Sequence, residues 1–73
     1  MVTVEVVSQS SRRPQKGARV MINFSALLRG HLTEYTDSNG EAHFNADPGD
    51  GEVYVDGTTK HKGRLAGRVV VYV

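Results

Sequence analysis

The sequence predicts an all-β domain, a small antiparallel Greek-key β-sandwich or partly closed barrel of about six strands. Two observations support this fold class. Short segments alternate apolar and polar residues, which is the period of a strand with one buried face. Turn residues such as Gly, Pro and Asn separate the segments at the roughly 8–12-residue spacing of sandwiches and barrels. The 73 residues are expected to form one domain, residues 1–73, with a small core.

Six segments of the chain have the alternation of strands. The first, VTVEV, has valine at every other position, and the second, ARVMINFS, places Ala18, Val20, Ile22 and Phe24 on one face. The six segments are residues 2–6, 18–25, 31–36, 41–45, 52–56 and 67–73. Residues 57–66 are predicted as a polar loop. The one helix candidate, residues 24–32, has room for a single turn before Gly30.

The stretch YTDSNGEAHF, residues 35–44, predicts a β-hairpin. Asn-Gly between alternating strands is the strongest short-range hairpin signal, because both turn residues favour positive φ. Pairing of the two strands would place Tyr35 and Phe44 together on the core face. His43 would then point outward.

The same turn also has the oxygen-rich composition of a calcium loop. Asp37, Asn39 and Glu41 stand at alternate positions, as ligands do at the start of an EF-hand. An EF-hand requires Gly at the sixth position of the loop and Glu at the twelfth. Here Gly40 is fourth and Pro48 is twelfth, so the turn is interpreted as structural.

The three histidines do not suggest a zinc site. His31 lies an even number of residues before Tyr35 and is therefore expected to point inward, away from the face of His43. His61 is placed in the predicted loop of residues 57–66. We expect no metal site and no cofactor.

Composition further restricts the chemistry. The chain has no cysteine, which excludes disulfides and thiolate chemistry. It contains no Gly-x-Ser-x-Gly nucleophile elbow, and the acids Asp47 and Asp50 lie in a Pro-Gly turn that favours Asp for its own conformation. We expect no catalytic residue and no enzyme activity. The sequence shows neither a signal-peptide pattern nor an apolar run that could span a membrane, and it leaves the compartment open.

Three motifs resemble those of known β-sandwich families. Residues 17–20, GARV, are similar to the "G-A-x-V" opening of carboxypeptidase regulatory-like domains, and residues 36–44 resemble their "T-D-x-x-G-x-x-x-F" hairpin. Residues 47–55 are similar to the "x-P-G-x-Y-x-V" segment that follows. Bacterial immunoglobulin-like domains of the invasin type carry a similar "T-D-x-x-G-x-A" stretch. The resemblance covers roughly residues 2–57 and leaves the two families as alternatives.

The resemblance implies a Greek-key β-sandwich of the transthyretin (prealbumin) or immunoglobulin style. Such domains are mostly non-catalytic accessory domains of larger proteins, often outside the cytoplasm. Hydroxyisourate hydrolases of the transthyretin group end in Tyr-Arg-Gly-Ser, whereas residues 70–73 here are VVYV. That activity is therefore not expected.

Cationic residues are concentrated in predicted loops. If the strands alternate in direction, the loops at residues 8–17, 37–40 and 57–66 lie at one end of the sandwich. They contain the residues of a predicted anion-binding or partner-binding site: Arg12, Arg13, Lys16, Lys60, His61, Lys62 and Arg64. Two interpretations stay open. These side chains are solvated because loops commonly carry charge, or the basic end binds a polyanion or carbohydrate.

The last predicted strand, RVVVYV at residues 68–73, is apolar on both faces. It is either the central strand of a tightly closed barrel or a strand that associates with another sheet or sheet edge. The sequence therefore favours a non-catalytic interaction module that contacts a protein partner or a second copy through sheet edges. The alternative is a module that binds a polyanion or carbohydrate through its basic loops.

Overall fold

The computed structural model describes residues 1–26 and 29–73 and confirms the all-β fold class. Within these residues the chain forms seven strands: β1 (Val2–Val7), β2 (Arg19–Phe24), β3 (His31–Tyr35), β4 (Glu41–Phe44), β5 (Gly49–Val55), β6 (Thr58–Leu65) and β7 (Gly67–Tyr72). The described part of the chain has no helix of the length and apolarity needed to cross a membrane. The candidate helical turn includes Leu27 and Leu28, which lie outside the described residues.

The strands form two sheets. Sheet A has the order β4-β1-β7, and sheet B has the order β3-β2-β5-β6. The pair β1–β7 is parallel, and the other pairs are antiparallel. The chain passes from one sheet to the other after β1, β3, β4 and β6. Because β3 and β4 belong to different sheets, the architecture is a small sandwich and not a closed barrel.

Alternating side chains of both sheets fill the core. On β1, the residues Val2, Val4 and Val6 are fully buried, while the residues between them are half-buried. Ile22 of β2 and Phe44 of β4 are among the largest buried side chains. The remaining buried apolar residues of the cluster are Ala18, Val20, Phe24, Ala42, Val53, Val55, Leu65, Val69 and Val71. The inward positions on β1, β2, β4, β5 and β7 follow the predicted period of two, whereas Leu65 belongs to a segment that was predicted as a loop.

The segment predicted as a loop at residues 57–66 is mostly a strand, and this prediction was wrong. β6 occupies Thr58–Leu65 and pairs with β5, from which it is separated by a tight turn. The turn residues Asp56 and Gly57 have φ of 49° and 87°. The segment is polar because β6 lies at an edge of sheet B, where most of its side chains contact solvent. This strand raises the number from the predicted six to seven.

The turn at residues 37–41 forms as predicted, but it does not join two paired strands. The N–H of Gly40 donates to the carbonyl of Asp37 at 2.9 Å, and the N–H of Asp37 donates to the carbonyl of Glu41 at 3.0 Å. The two strands that flank the turn then diverge, since β3 pairs with β2 and β4 pairs with β1. The predicted β3–β4 hairpin pairing is therefore wrong.

The divergence of β3 and β4 also reverses the predicted facing of β3. Tyr35 is 65% exposed on the outer face of sheet B, and Thr36 is buried in its place. The Thr36 hydroxyl accepts a hydrogen bond from the N–H of Ala18 at 2.8 Å and donates one to the carbonyl of Gln15 at 2.5 Å. These bonds hold residue 36 toward the interior. Because side chains alternate along a strand, Tyr35 must point outward.

His31 follows the same reversal. The register places Ile22 opposite Leu32, so Leu32 shares the inner face of sheet B and His31 shares the outer face with Tyr35. The prediction that His31 points inward is therefore wrong. The prediction that it lies on the same face as Tyr35 is correct. All five residues of β3 are exposed. This edge strand of the four-stranded sheet therefore contributes little to the core.

Candidate functional site

Strand β7 forms an edge of sheet A. It pairs with β1 on one side, and no other described strand pairs with it. Its inner residues Val69 and Val71 are buried in the core. Its outer face carries Arg68, Val70 and Tyr72, and the two apolar members are 41% and 53% exposed. The interpretation of this segment as a central barrel strand is therefore wrong.

The open side of β7 also presents backbone hydrogen-bonding groups. Val73 continues the pairing with β1: its N–H donates to the carbonyl of Val7, and its carbonyl accepts from the N–H of Gln9, both at 2.9 Å. Successive residues of a strand direct these groups to opposite sides. The three outer-face residues of β7 are one, three and five positions before Val73. They consequently direct their N–H and C=O groups to the open side.

The other edges in the described part of the sandwich carry features that oppose strand addition. β6 presents the exposed cations Lys60, Lys62 and Arg64, and such charges on an edge strand disfavour pairing with a further strand. β3 directs the charged Glu34 to its inner face, which has the same effect. β4 is only four residues long. By contrast, β7 carries no charged residue after Arg68.

Three of the predicted anion-binding residues lie in one loop. Arg12, Arg13 and Lys16 are exposed in the connection from β1 to β2. This connection contacts the β3–β4 turn, since the N–H of Gly17 donates to the carbonyl of Thr36 at 3.0 Å. These two loops therefore share one end of the sandwich, as the alternation of strands predicted.

The other predicted cations do not join that loop, which corrects the predicted grouping. Lys62 and Arg64 lie along β6, which leads away from its turn with β5, and Lys60 lies at the bulge of that strand. The register places Lys62 opposite Glu52 and Arg64 opposite Asp50. Opposite charges across a strand pair attract each other and reduce the local positive potential. The chain thus has a basic loop and a mixed-charge edge, not one basic end.

His61 is also placed differently from the prediction. It pairs with the buried Val53 of β5, so its ring lies on the inner face of β6. Its Nε2 atom is buried and has no hydrogen-bond partner among the described residues. This nitrogen is therefore not placed to contact an anion together with the exposed cations of the predicted site.

An open pocket lies where the β1–β2 loop meets the C-terminal end of β7. It has a volume of about 340 Å³ and is lined by Gln9, Arg12 and Tyr72. Arg12 adopts a positive φ of 62°, a backbone conformation that is uncommon for a residue other than glycine. The lining combines an amide, a guanidinium group and an aromatic ring. Such groups can bind a small ligand that has both an apolar face and an anionic group.

A polar cluster occupies the outer face of sheet A beside the β3–β4 turn. Asp37, Glu41 and His43 place one ligand atom each within 4.8 Å of one another. His43 Nε2 lies 3.5 Å from Asp37 Oδ2 and 3.7 Å from Glu41 Oε1. On the other side of the ring, His43 Nδ1 and the hydroxyl of Thr3 form a 3.1 Å hydrogen bond. The outward direction of His43 was predicted correctly, but its neighbours come from β1 and the turn, not from β3.

The two carboxylates of this cluster are held by their remaining oxygens. Asp37 Oδ1 accepts the N–H groups of Asn39 and Glu41 at 2.9 and 3.0 Å. The Glu41 N–H in particular lowers the pKa of Asp37, and burial opposes this effect. Glu41 Oε2 contacts Nη1 of Arg68 at 2.6 Å. Asp37 Oδ2 and Glu41 Oε1 are thereby left facing the ring of His43.

This cluster was not predicted from the sequence. Its spacing does not match an EF-hand loop, and it contains a single histidine. The useful signal was that Asp37, Glu41 and His43 are separated by even numbers of residues around a compact turn. Such a spacing can bring their side chains to one surface. The contribution of Thr3 had no such signal, because only the β1–β4 register places it opposite His43.

Comparisons of the chain with protein-family models, with curated proteins and with solved structures gave no significant match.

Proposed function

We propose that this protein is a non-catalytic assembly module in which β7 pairs with β7 of a second copy. The observation that carries this proposal is the open side of β7, with its exposed apolar outer face and backbone groups directed outward. Addition of a strand to a sheet edge satisfies those backbone groups and covers the apolar side chains. The expected product is a continuous sheet with the order β4-β1-β7-β7-β1-β4.

The sequence of β7 is complementary to itself in one antiparallel register. A two-fold axis at Val70 places Val70 opposite its own copy and Arg68 opposite Tyr72 of the second chain. Each of these three residues directs its backbone groups to the open side, so each pair can exchange two hydrogen bonds. A C2 interface requires this kind of self-complementary surface. The occupant that β7 fits best is therefore a second copy.

Side chains support the same register. The two Val70 side chains would form an apolar contact at the axis, and each Tyr72 would face a guanidinium group across the strand pair. Arg68 contacts Glu5 and Glu41, yet 53% of its side chain remains exposed and available to an aromatic ring. The basic edge strand β6, by contrast, would place like charges opposite each other in a similar arrangement.

Assembly can be measured by light scattering and sedimentation over a range of protein concentrations. We expect a dimer whose population rises with concentration, and we expect Val70→Lys to give a monomer because it places two like charges at the axis. Thr33→Lys on the exposed strand β3 is the matched control and should leave assembly unchanged. A strictly monomeric wild-type protein at high concentration would contradict the proposal.

The register has a separate test, because the chain contains no cysteine. Hydrogen-bonded residues in an antiparallel pair have Cα atoms about 5.5 Å apart, which lies within the range that a disulfide can bridge. Val70→Cys should therefore give a disulfide-linked dimer under oxidising conditions, and Thr33→Cys should not. Equal crosslinking of the two variants would show that collision, not the proposed register, joins the chains.

A second candidate function rests on the pocket between the β1–β2 loop and β7. We propose that Arg12, Gln9 and Tyr72 bind an anionic carbohydrate, with the aromatic ring against a sugar face and Arg12 on an acidic group. Arg13 and Lys16 lie in the same loop and add positive charge nearby. Lys62 and Arg64 lie opposite the acids Glu52 and Asp50 of β5, which reduce their contribution.

Binding of a heparin fragment measured at several salt concentrations tests this second candidate. We expect affinity to fall steeply with salt, because binding an anionic polymer releases counterions. Arg12→Ala should weaken binding, while Lys62→Ala is the matched control with a small effect. Val70→Lys separates the two candidates, since it should prevent assembly and leave Arg12 in place. Absence of binding at low salt would contradict the carbohydrate proposal.

The proposed family is a carboxypeptidase regulatory-like or transthyretin-like β-sandwich, with the bacterial immunoglobulin-like family as the alternative. Support comes from the motif positions: the T-D-x-x-G turn is a closed turn and the following Pro-Gly segment leads into a sheet strand. Both families use such domains mainly as accessory modules, which agrees with a proposed role in assembly. A determined structure of a longer homologous chain would test this assignment.

A further inference from the structure

We propose that Asp37, Glu41 and His43 form a binding site for a divalent transition-metal ion of the zinc type. None of these three residues belongs to β7 or lines the pocket at Arg12, although Arg68 of β7 contacts Glu41. Its donors are one imidazole nitrogen and two carboxylate oxygens, which are ligands that zinc accepts in proteins. A water molecule would complete a four-coordinate ion.

The separations between donor atoms favour a metal site over a simple ion pair. Zinc lies about 2.0–2.2 Å from nitrogen and oxygen ligands, which sets the edge of its tetrahedron at about 3.3–3.6 Å. The distances from His43 Nε2 to Asp37 Oδ2 and to Glu41 Oε1 are 3.5 and 3.7 Å. Both exceed the usual 2.7–3.2 Å of an N–H···O hydrogen bond. The spacing therefore leaves room for an ion among the three atoms.

Each ligand has its second polar atom engaged by another group. Thr3 holds Nδ1 of His43, which directs Nε2 toward the two acids. Backbone N–H groups hold one oxygen of Asp37, and Arg68 holds one oxygen of Glu41. Such outer contacts fix the orientation of metal ligands. The remaining donor atoms consequently converge without a large rearrangement.

Local charge also fits a divalent cation. Asp37, Glu41 and the neighbouring Glu5 contribute three carboxylates, while Arg68 contributes one positive charge. With His43 neutral, as a metal ligand must be, the group retains two negative charges. A bound divalent ion would neutralise them and would link the turn at Asp37 to strand β4.

Zinc binding to the full chain can be measured by isothermal titration calorimetry after treatment with a chelator. We expect one zinc ion per chain and a shift of the His43 ring resonances in NMR spectra. His43→Gln and Asp37→Asn should each weaken binding at least about tenfold. Asp37→Asn keeps the oxygen that accepts the backbone N–H groups, so it should remain folded. Circular dichroism of each variant verifies this.

His31→Gln is the matched control, because His31 is an exposed histidine on the other sheet. It should bind zinc as the wild-type protein does. Thr3→Val tests positioning: it should weaken zinc binding about tenfold without removing a ligand, and Thr3→Ser should restore it. The proposal is overturned if millimolar zinc does not bind, if His43→Gln binds normally, or if His31→Gln loses as much affinity as His43→Gln.

Discussion

Arg68 and Glu41 form a 2.6 Å ion pair between the two edge strands of sheet A, across the full width of β1. Between them, Glu5 of β1 accepts a second hydrogen bond from Arg68 at 2.8 Å. The two acids raise the pKa of Arg68, with the Glu41 hydrogen bond the larger cause. One guanidinium group thus ties all three strands together on the outer face of the sheet.

Replacement of Arg68 by Gln should lower the melting temperature slightly. The group is exposed, and exposed ion pairs contribute little to stability. The difference from wild type should nearly disappear in about 1 M salt, because the screening length is then about 3 Å. Thermal denaturation at low and high salt measures this, with Arg64→Gln as an exposed control. A loss that persists at high salt would show that Arg68 acts through packing instead of charge.

Thr36→Val should destabilise the domain by about 1–3 kcal/mol, although the two side chains have nearly the same shape. The substitution removes the hydroxyl that bonds the N–H of Ala18 and the carbonyl of Gln15, and it leaves both backbone groups without that partner. Urea denaturation measures the change in the free energy of unfolding. Thr33→Val on exposed β3 should be nearly neutral. Similar values for both variants would contradict a structural role of the Thr36 hydroxyl.

Gly40→Ala should destabilise the domain more than Gly17→Ala does. The two glycines have φ of 74° and 76°, so both substitutions carry the same left-handed penalty of about 1–2 kcal/mol. A Cβ atom at Gly40 would additionally lie 2.8 Å from the carbonyl oxygen of Val6 and from Cβ of Pro14, whereas a Cβ at Gly17 meets no atom within 4 Å. Denaturant unfolding of both variants measures their free energies of unfolding, and the difference between them gives the cost of the steric contacts at Gly40. Equal losses would show that the turn can move away from β1.

The stability contributed by Asp37 should disappear in acid. Its pKa is lower in the folded protein than the ordinary value of 3.8, chiefly because its carboxylate accepts the N–H of Glu41. This contribution is complete above the ordinary pKa and is lost as the pH falls through the lowered folded pKa. Wild type should therefore lose more stability than Asp37→Asn between about pH 5 and pH 2. Melting curves in chelator measure this, and parallel pH profiles would contradict it.

Much of the fold was predictable because burial imposes a period of two on the chain. Residues such as Val4 and Ile22 lie in the core where alternation placed them. The strand β6 was missed because a polar edge strand has little apolar alternation to detect. The candidate site was less predictable still: the basic loop made Arg12 a candidate but gave no sign of a pocket, because one lining residue, Tyr72, comes from the other end of the sequence.

By itself, the sequence determined the all-β class, the absence of thiol chemistry, the turn at Gly40 and the outward position of His43. These features depend on local properties: alternation, residue composition and φ preference. Only the tertiary structure decided that β3 and β4 enter different sheets, that Tyr35 faces solvent and that β7 has an open side. Those outcomes depend on which strands pair, and pairing is governed by contacts between residues far apart in the chain. Thr36 illustrates the difference, since two bonds to the β1–β2 loop set its orientation and, through it, the facing of the strand before it.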